Sequence, residues 1–151
     1  MATVRIQAEP FDVAAEFAAM AAPGVGGIGC FVGVVRGGGA LAALELEHYP
    51  GMTERQLTAI TTEAERRWAL LACTVVHRIG RMAVGEGIVL VLAAAPHRQP
   101  ALDATAYLID WLKTQAPFWK REWLSDGTGH WVDAREADDA AAARWGLAGG
   151  I

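Results

Sequence analysis

The sequence predicts an α+β fold in which antiparallel strand pairs are separated by helices, and three observations predict it. Runs of alternating or continuous apolar residues come in pairs joined by short glycine-rich turns, as hairpins do. Between the pairs lie segments whose apolar residues recur at helical spacing. The order of these elements lacks the regular strand-helix-strand alternation of a parallel doubly wound sheet. The chain has 151 residues, 53% of them hydrophobic and 20% charged. A chain of that size buries roughly 68–70% of the surface its unfolded form exposes, so a single domain over 1–151 has a sufficient core without staples. No repeat or linker divides it, and an alanine- and glycine-rich tail from about residue 146 is expected to be disordered.

Each element has a local reason. Thr3 to Gln7 alternates like a strand, and Asp12 is placed to cap a helix that runs to Ala21 and is closed by the Pro23 to Gly27 turn. Ile28 to Arg36 reads as a buried strand. After the flexible Gly37-Gly38-Gly39 loop, Ala42 to Tyr49 alternates as a second strand, which makes a hairpin with the first. Thr53 caps the next helix, where Leu57, Ile60, Ala64 and Trp68 form an apolar face and Arg55, Glu63, Arg66 and Arg67 face water. Cys73 to Ile79 and Gly87 to Ala95 are β-rich runs joined through the Val84 to Gly87 turn into another hairpin. A helix follows from Pro100 to about Gln115, with Pro100 in its first turn and Pro117 as its stop. The last third reads as a strand over Phe118 to Leu124, a turn over Ser125 to Gly129, a strand over His130 to Asp133 and a closing helix over Glu136 to Trp145.

Composition excludes several classes of function. A mean hydropathy of +0.23 rules out a disordered or fibrous chain. The longest apolar run, Ile88 to Ala95, has eight residues, whereas a bilayer span needs about twenty. The opening MATVRIQAEP shows no signal-peptide pattern, so no membrane association and a cytoplasmic location are expected. Cys30 and Cys73 sit in apolar stretches without partners at zinc-like spacing, so both read as free buried thiols of a reducing compartment. A net charge of −4 argues against a nucleic-acid surface. No metal-ligand spacing and no dinucleotide or Walker glycine motif is present, so no metal or cofactor is expected.

Among the cations, eleven are arginine and only Lys113 and Lys120 are lysine. An amine differs from a guanidinium in being able to lose its proton near neutral pH. Pro117 breaks the helix between the two lysines, so the chain can turn Lys120 back toward Lys113, with Phe118 and Trp119 as aromatic walls. The opposing reading makes those aromatics ordinary core and the lysines outward-reaching. Three other places combine polar chemistry with special backbone. Arg36 precedes three glycines and can grip a phosphate or carboxylate, or simply decorate a flexible tip. His97 and Arg98 precede a helix start, where unpaired amides bind anions, or they form a solvated connection. His48 ends a strand without a carboxylate on its own face, since Glu47 points the other way, and is read as part of a structural turn. His77 and His130 are read as packing or surface residues.

Taken in order, LEHYPGM at Leu46 to Met52, VVHRIG at Val75 to Gly80, PHR at Pro96 to Arg98 and WLKTQAPFWKRE at Trp111 to Glu122 resemble the large, catalytic subunit of molybdopterin synthase, the MoaE family. The likeness runs from about Phe11 to Trp145, with WVDARE in register near its end. The resemblance implies an α/β hammerhead fold with an additional antiparallel sheet. It implies a sulfurtransferase that inserts two sulfurs into cyclic pyranopterin monophosphate to form the dithiolene of molybdopterin. The implied sulfur donor is the C-terminal Gly-Gly thiocarboxylate of a small ubiquitin-like partner subunit, and two large subunits form the central homodimer of a heterotetramer. On the same basis Lys113 and Lys120 are catalytic. Arg36, His97, Arg98, Arg121 and Glu122 bind substrate, His97 and Arg98 reaching across the dimer interface and Glu122 orienting the cations. The chain departs from the family pattern at Val34, at the short Gly37 to Gly39 loop and in its Gly149-Gly150-Ile151 ending. A non-catalytic homologue that only binds the sulfur carrier is the alternative, and a nucleotide-binding domain a more remote one.

Overall fold

The computed structural model describes residues 2–132 and 136–146 of the chain, with side chains from 140 onward in the second stretch. The strand expected to end at Asp133, the WVDARE match, and the tail beyond Gly146 extend outside the described residues. Among the described residues, two four-stranded sheets and four helices make up the architecture. The first sheet has the order β1 (Ala2–Gln7), β4 (Ala72–Arg78), β6 (Gly87–Ala95), β2 (Gly27–Val34). The second has the order β5 (Gly80–Ala83), β3 (Leu41–His48), β7 (Phe118–Leu124), β8 (Gly129–Trp131). The α+β class and the added antiparallel sheet are thus present, and the one parallel pairing among the described strands is β1 with β4.

The expected hairpin between the second and third strands does not form. β2 pairs with β6 in the first sheet, while β3 pairs with β5 and β7 in the second. The Gly37 to Gly39 loop carries the chain from one sheet to the other, which neither of its flanking runs could reveal. β4 and β6 do pair antiparallel, but β5 is inserted between them and belongs to the second sheet. The change of sheet occurs at Gly80, whose φ of 87° is a left-handed conformation that glycine adopts without strain.

Helix α1 (Val13–Ala18) is shorter than expected, yet Asp12 caps it, Oδ1 accepting from the Ala15 N–H at 3.1 Å. Helix α2 (Met52–Trp68) starts after Gly51, so Thr53 is not its cap. Thr53 is instead buried inside the first turn, where its hydroxyl accepts from the Tyr49 N–H at 2.9 Å and donates to the Pro117 carbonyl at 3.3 Å. Helix α3 (Arg98–Thr114) begins two residues early, with Pro100 still in the first turn. It seats directly on β2 because Gly29 has no side chain: a Cβ there would lie 2.4 Å from the Ala101 carbonyl oxygen. Helix α4 (Glu136–Ala143) closes the chain.

The core follows from these contacts. Leu57 of α2, Val75 of β4, Val91 of β6 and Leu108 of α3 are fully buried in one cluster between helices and sheet. Val76, Leu90 and Leu92 fill the opposite face of the sheet. A third cluster of Val35, Leu44, Leu46, Met82 and Ile88, joined by Phe118, links the two sheets. Cys73 is buried as expected, and burial pushes its thiol up to about 12. Cys30 is exposed, contrary to expectation, because β2 is an edge strand whose alternation turns that residue to solvent. No helix among the described residues is long and apolar enough to cross a membrane.

Candidate functional site

Strand register assembles the site. In the β3–β7 pair Leu46 lies opposite Lys120 and His48 opposite Phe118. Directly opposed residues of an antiparallel pair share a face, so Lys120, Phe118 and His48 stand on the side of the second sheet that carries the buried Leu44 and Leu46. Phe118 is stacked on His77 of β4, the ring centroids 4.0 Å apart and the planes inclined by 18°. Lys113 is exposed in the last turn of α3, and only Gln115, Ala116 and Pro117 separate that helix from β7. The turn is tied down by the Thr53 hydroxyl on the Pro117 carbonyl.

Both lysines lie close enough to the Phe118–His77 stack for their charges to reach the His77 ring. The charges of Lys113, Lys120 and His48 all act on the His77 ring. Burial is the largest influence and disfavours the imidazolium, the bond to the Arg78 carbonyl opposes it, and the nearby positive charges, Lys113 foremost, add to the burial. The result is an imidazole pushed down to about 4, neutral under ordinary conditions. Nδ1 of His77 lies 2.9 Å from the Arg78 carbonyl oxygen.

His48 has a partner that the sequence concealed. Its Nε2 is 3.3 Å from Oε2 of Glu54, while Oε1 of Glu54 accepts the Gly51 N–H at 2.8 Å. Partial burial pushes the Glu54 carboxyl up, but the backbone N–H groups of Glu54 and Gly51 and the His48 ring outweigh it and hold the group below its ordinary range. The carboxylate comes from the following helix and not from the strand, which is why alternation along β3 did not reveal it.

The other candidate residues are placed as follows. His97 caps α3 through its backbone and Arg98 is its first residue, both exposed. Fifteen residues of helix put them about 22 Å from Lys113, so one chain does not bring them to the lysines. Arg36 follows the buried Val35, which packs in the same cluster as Leu46 and Phe118, and so marks the rim of that cluster. Arg121 departs from expectation: strand alternation turns it to the face opposite Lys120, where its guanidinium lies 4.2 Å from the Trp131 ring centroid. Glu122 shares the Lys120 face but is engaged by His130, Nε2 to Oε1 at 3.1 Å, and not by a lysine.

His130 is thus exposed and ion-paired as a surface residue, whereas His77 was underread. The signal for His77 lay in the VVHRIG motif, where two polar residues end an apolar strand. Its neighbour Arg78, also buried, donates to the Ala8 carbonyl at 2.8 Å and to Glu86 at 3.1 Å, which explains the arginine structurally and leaves the histidine unexplained. No group of three or more His, Cys, Asp or Glu residues among those described is placed to hold a metal.

Comparison with known proteins identifies the relatives of the chain. The family profile described as MoaE protein matches residues 6–115. Proteins named molybdopterin synthase catalytic subunit are similar over nearly the whole length. The one from Rhizobium meliloti (strain 1021) is 52% identical over 95% of both chains. The one from Mesorhizobium japonicum is 53% identical over 95% of this chain and 92% of its own. Among solved structures, the molybdopterin biosynthesis MoaE protein from Burkholderia ambifaria MC40-6 superposes with a TM-score of 0.83 at 51% identity, covering 97% of this chain and 99% of its own.

Proposed function

The chain belongs to the MoaE protein family, and from that membership we propose that it is the catalytic subunit of a molybdopterin synthase, an enzyme that transfers sulfur in molybdenum cofactor biosynthesis. The observation that carries this reading is that the charges of the chain's two lysines, one at a helix end and one on a strand of the second sheet, both act on the His77 ring stacked on Phe118.

The substrate is cyclic pyranopterin monophosphate and the sulfur donor is the C-terminal Gly-Gly thiocarboxylate of a small ubiquitin-like subunit. Both reactants are anionic, which suits a site where an acidic protein gathers ammonium groups. Lys113, exposed at the mouth of the cluster, holds the donor's terminal carbonyl close to the carbon that receives sulfur and moves the proton there. Lys120 holds the substrate and modulates its neighbour. Since about 22 Å of helix separates His97 and Arg98 from Lys113, they serve the lysine pair of a second copy, which requires a homodimer at the centre of the heterotetramer. Arg36 supplies an anion grip from the rim. Glu122, held by His130, borders the site on the Lys120 face, while Arg121 backs the strand from the opposite face against Trp131.

The test is conversion of cyclic pyranopterin monophosphate by the purified chain with a thiocarboxylated partner, comparing wild type with folded Lys113→Ala and Lys120→Ala. Dithiolene formation that collapses in Lys113→Ala is the expected result. Absence of product from wild type in a demonstrated complex with a competent partner overturns the reading. Mixed dimers of Lys113→Ala with His97→Ala chains test the sharing between copies: activity that reappears on mixing is expected, and its failure to reappear assigns His97 to its own chain.

A further inference from the structure

A buried histidine is a costly core residue, because both ring nitrogens are polar and each must find a partner or go without. His77 is 7% exposed at the end of an apolar strand, beside the fully buried Val75 and Val76. A phenylalanine would fill the same space and stack equally well on Phe118. One nitrogen is accounted for. The Arg78 carbonyl can only accept, so Nδ1 carries the proton. The neutral ring then has a lone pair at Nε2, and no described residue donates to it. Lys113 is the complementary case. Its charge acts on the ring more strongly than that of Lys120 or His48, yet it makes no hydrogen bond or ion pair with a described residue.

A buried acceptor to which no described residue donates thus feels the charge of an ammonium that no described residue accepts from, and that ammonium sits five residues before the Phe118 ring stacked on His77. We propose that His77 is a positioning residue for sulfur transfer, its Nε2 accepting a hydrogen bond from the Lys113 ammonium and fixing where that ammonium points, in the free protein as in the loaded one. This rests on the reading of Lys113 and Lys120 as the reactive pair. Only a neutral ring can act in this way, since an imidazolium has no lone pair and repels an ammonium. Burial supplies that neutrality, and the Arg78 carbonyl selects the tautomer. A lysine on a flexible four-carbon stem gains direction from such an acceptor, and its protonated form is favoured by it.

The chain has only two lysines, so the pH dependence of amine acylation, read peptide by peptide, reports each one's basicity without any need for turnover. His77→Phe keeps the ring stack and removes the acceptor, whereas His77→Gln restores an acceptor near the Nε2 position. In folded His77→Phe the Lys113 labelling midpoint is expected to fall by about half a pH unit or more, and that of Lys120 by less. Turnover with the thiocarboxylated partner is expected to fall about tenfold with the partner's affinity unchanged, and His77→Gln to recover part of both losses. Wild-type labelling and turnover in His77→Phe overturns the proposal. Equal loss of turnover in both variants with the Lys113 midpoint unmoved also overturns it, because a merely structural role produces that pattern. Where neither variant folds, the nitrogen-15 shift of His77 Nε2 in the otherwise wild-type chain decides. It is expected to move in Lys113→Ala, and an unmoved shift overturns the proposal. An inactive wild type with a competent partner defeats the sulfur-transfer reading instead, and the labelling and nitrogen shifts still decide the contact.

Discussion

Lys120 and Arg121 are neighbours in the chain yet stand on opposite faces of β7, and their surroundings differ in kind. On the outer face Arg121 lies 4.2 Å from the Trp131 ring and 5.4 Å from that of Trp123. Trp123 donates to Glu45 at 2.9 Å and also carries Arg81 at 4.8 Å. Those cations lie over aromatic faces within reach of solvent, Trp131 being 50% exposed. On the inner face Lys120 lies opposite a buried leucine, beside a phenylalanine stacked on a buried neutral histidine. Aromatic neighbours alone therefore do not mark a reactive cation, since both faces have them. What separates the faces is exclusion of water beneath the inner one, where charge is discouraged and proton affinity becomes adjustable.

The widest expected separation is in turnover. Replacing Lys113 or Lys120 by alanine should lower dithiolene formation about a thousandfold, in the range of lost acid–base and positioning groups, while Arg121→Ala should remain within about threefold of wild type. Single-turnover assays on folded variants measure both, and an Arg121→Ala loss that matches the lysines removes the distinction between the faces. Next in size is Phe118, which packs in the clusters of both sheets. Phe118→Ala should cost about 3 kcal/mol in urea unfolding, as large-to-small core changes do. Trp119→Ala, one residue away but 46% exposed, should cost much less.

The inner face also predicts a pH dependence of stability. His77 titrates at about 4 when folded, against an ordinary value of 6.5. The unfolded chain therefore binds the proton first as pH falls, so this contribution is full above about pH 6.5 and is lost down to about pH 4. Between about pH 6 and 4.5 the loss from this group is on the order of 2 kcal/mol, and His77→Phe should flatten that segment of the profile. Glu54 and Glu86, both held below their ordinary range, act with the same sign but further toward acid, so they do not mimic the difference. Equal slopes for wild type and variant would show that the ring is not held neutral by burial.

Much of this arrangement was legible in the sequence where local physics decides it. The apolar run of β6, the helical faces of α2 and α3 and the break at Pro117 are set by period and by proline sterics, and each lies within one or two residues of its expected position. The lysine pair stood out because arginine replaces lysine everywhere else. Sheet membership was not legible, because a glycine loop after β2 fits a hairpin and a crossover equally well, and because β5 is only four residues long. The partner of His48 was hidden since Glu54 approaches across a turn and not along the strand. His77 was hidden for a different reason: a lone histidine on an apolar strand has the pattern of core, and only an Nε2 to which no described residue donates, together with the charges around it, sets it apart.

The smallest effect belongs to the outer face and tests whether its aromatic clamp stabilises anything. The guanidinium of Arg121 over Trp131 joins β7 to β8, a three-residue edge strand whose residues are all exposed. At an exposed site such a contact contributes about 0.5–1 kcal/mol, so Arg121→Leu and Trp131→Leu should each cost less than about 1 kcal/mol. The informative quantity is their coupling. If the ring and the cation act on each other, the double variant should lose about 0.5 kcal/mol less than the sum of the singles, and turnover should hardly change in any of the three. Zero coupling would mean that the outer cations are merely solvated, and the contrast between the faces would then rest on the inner one alone. Coupling accompanied by a fall in turnover would instead show that β8 transmits strain through β7 to Lys120, joining two faces that alternation otherwise keeps apart.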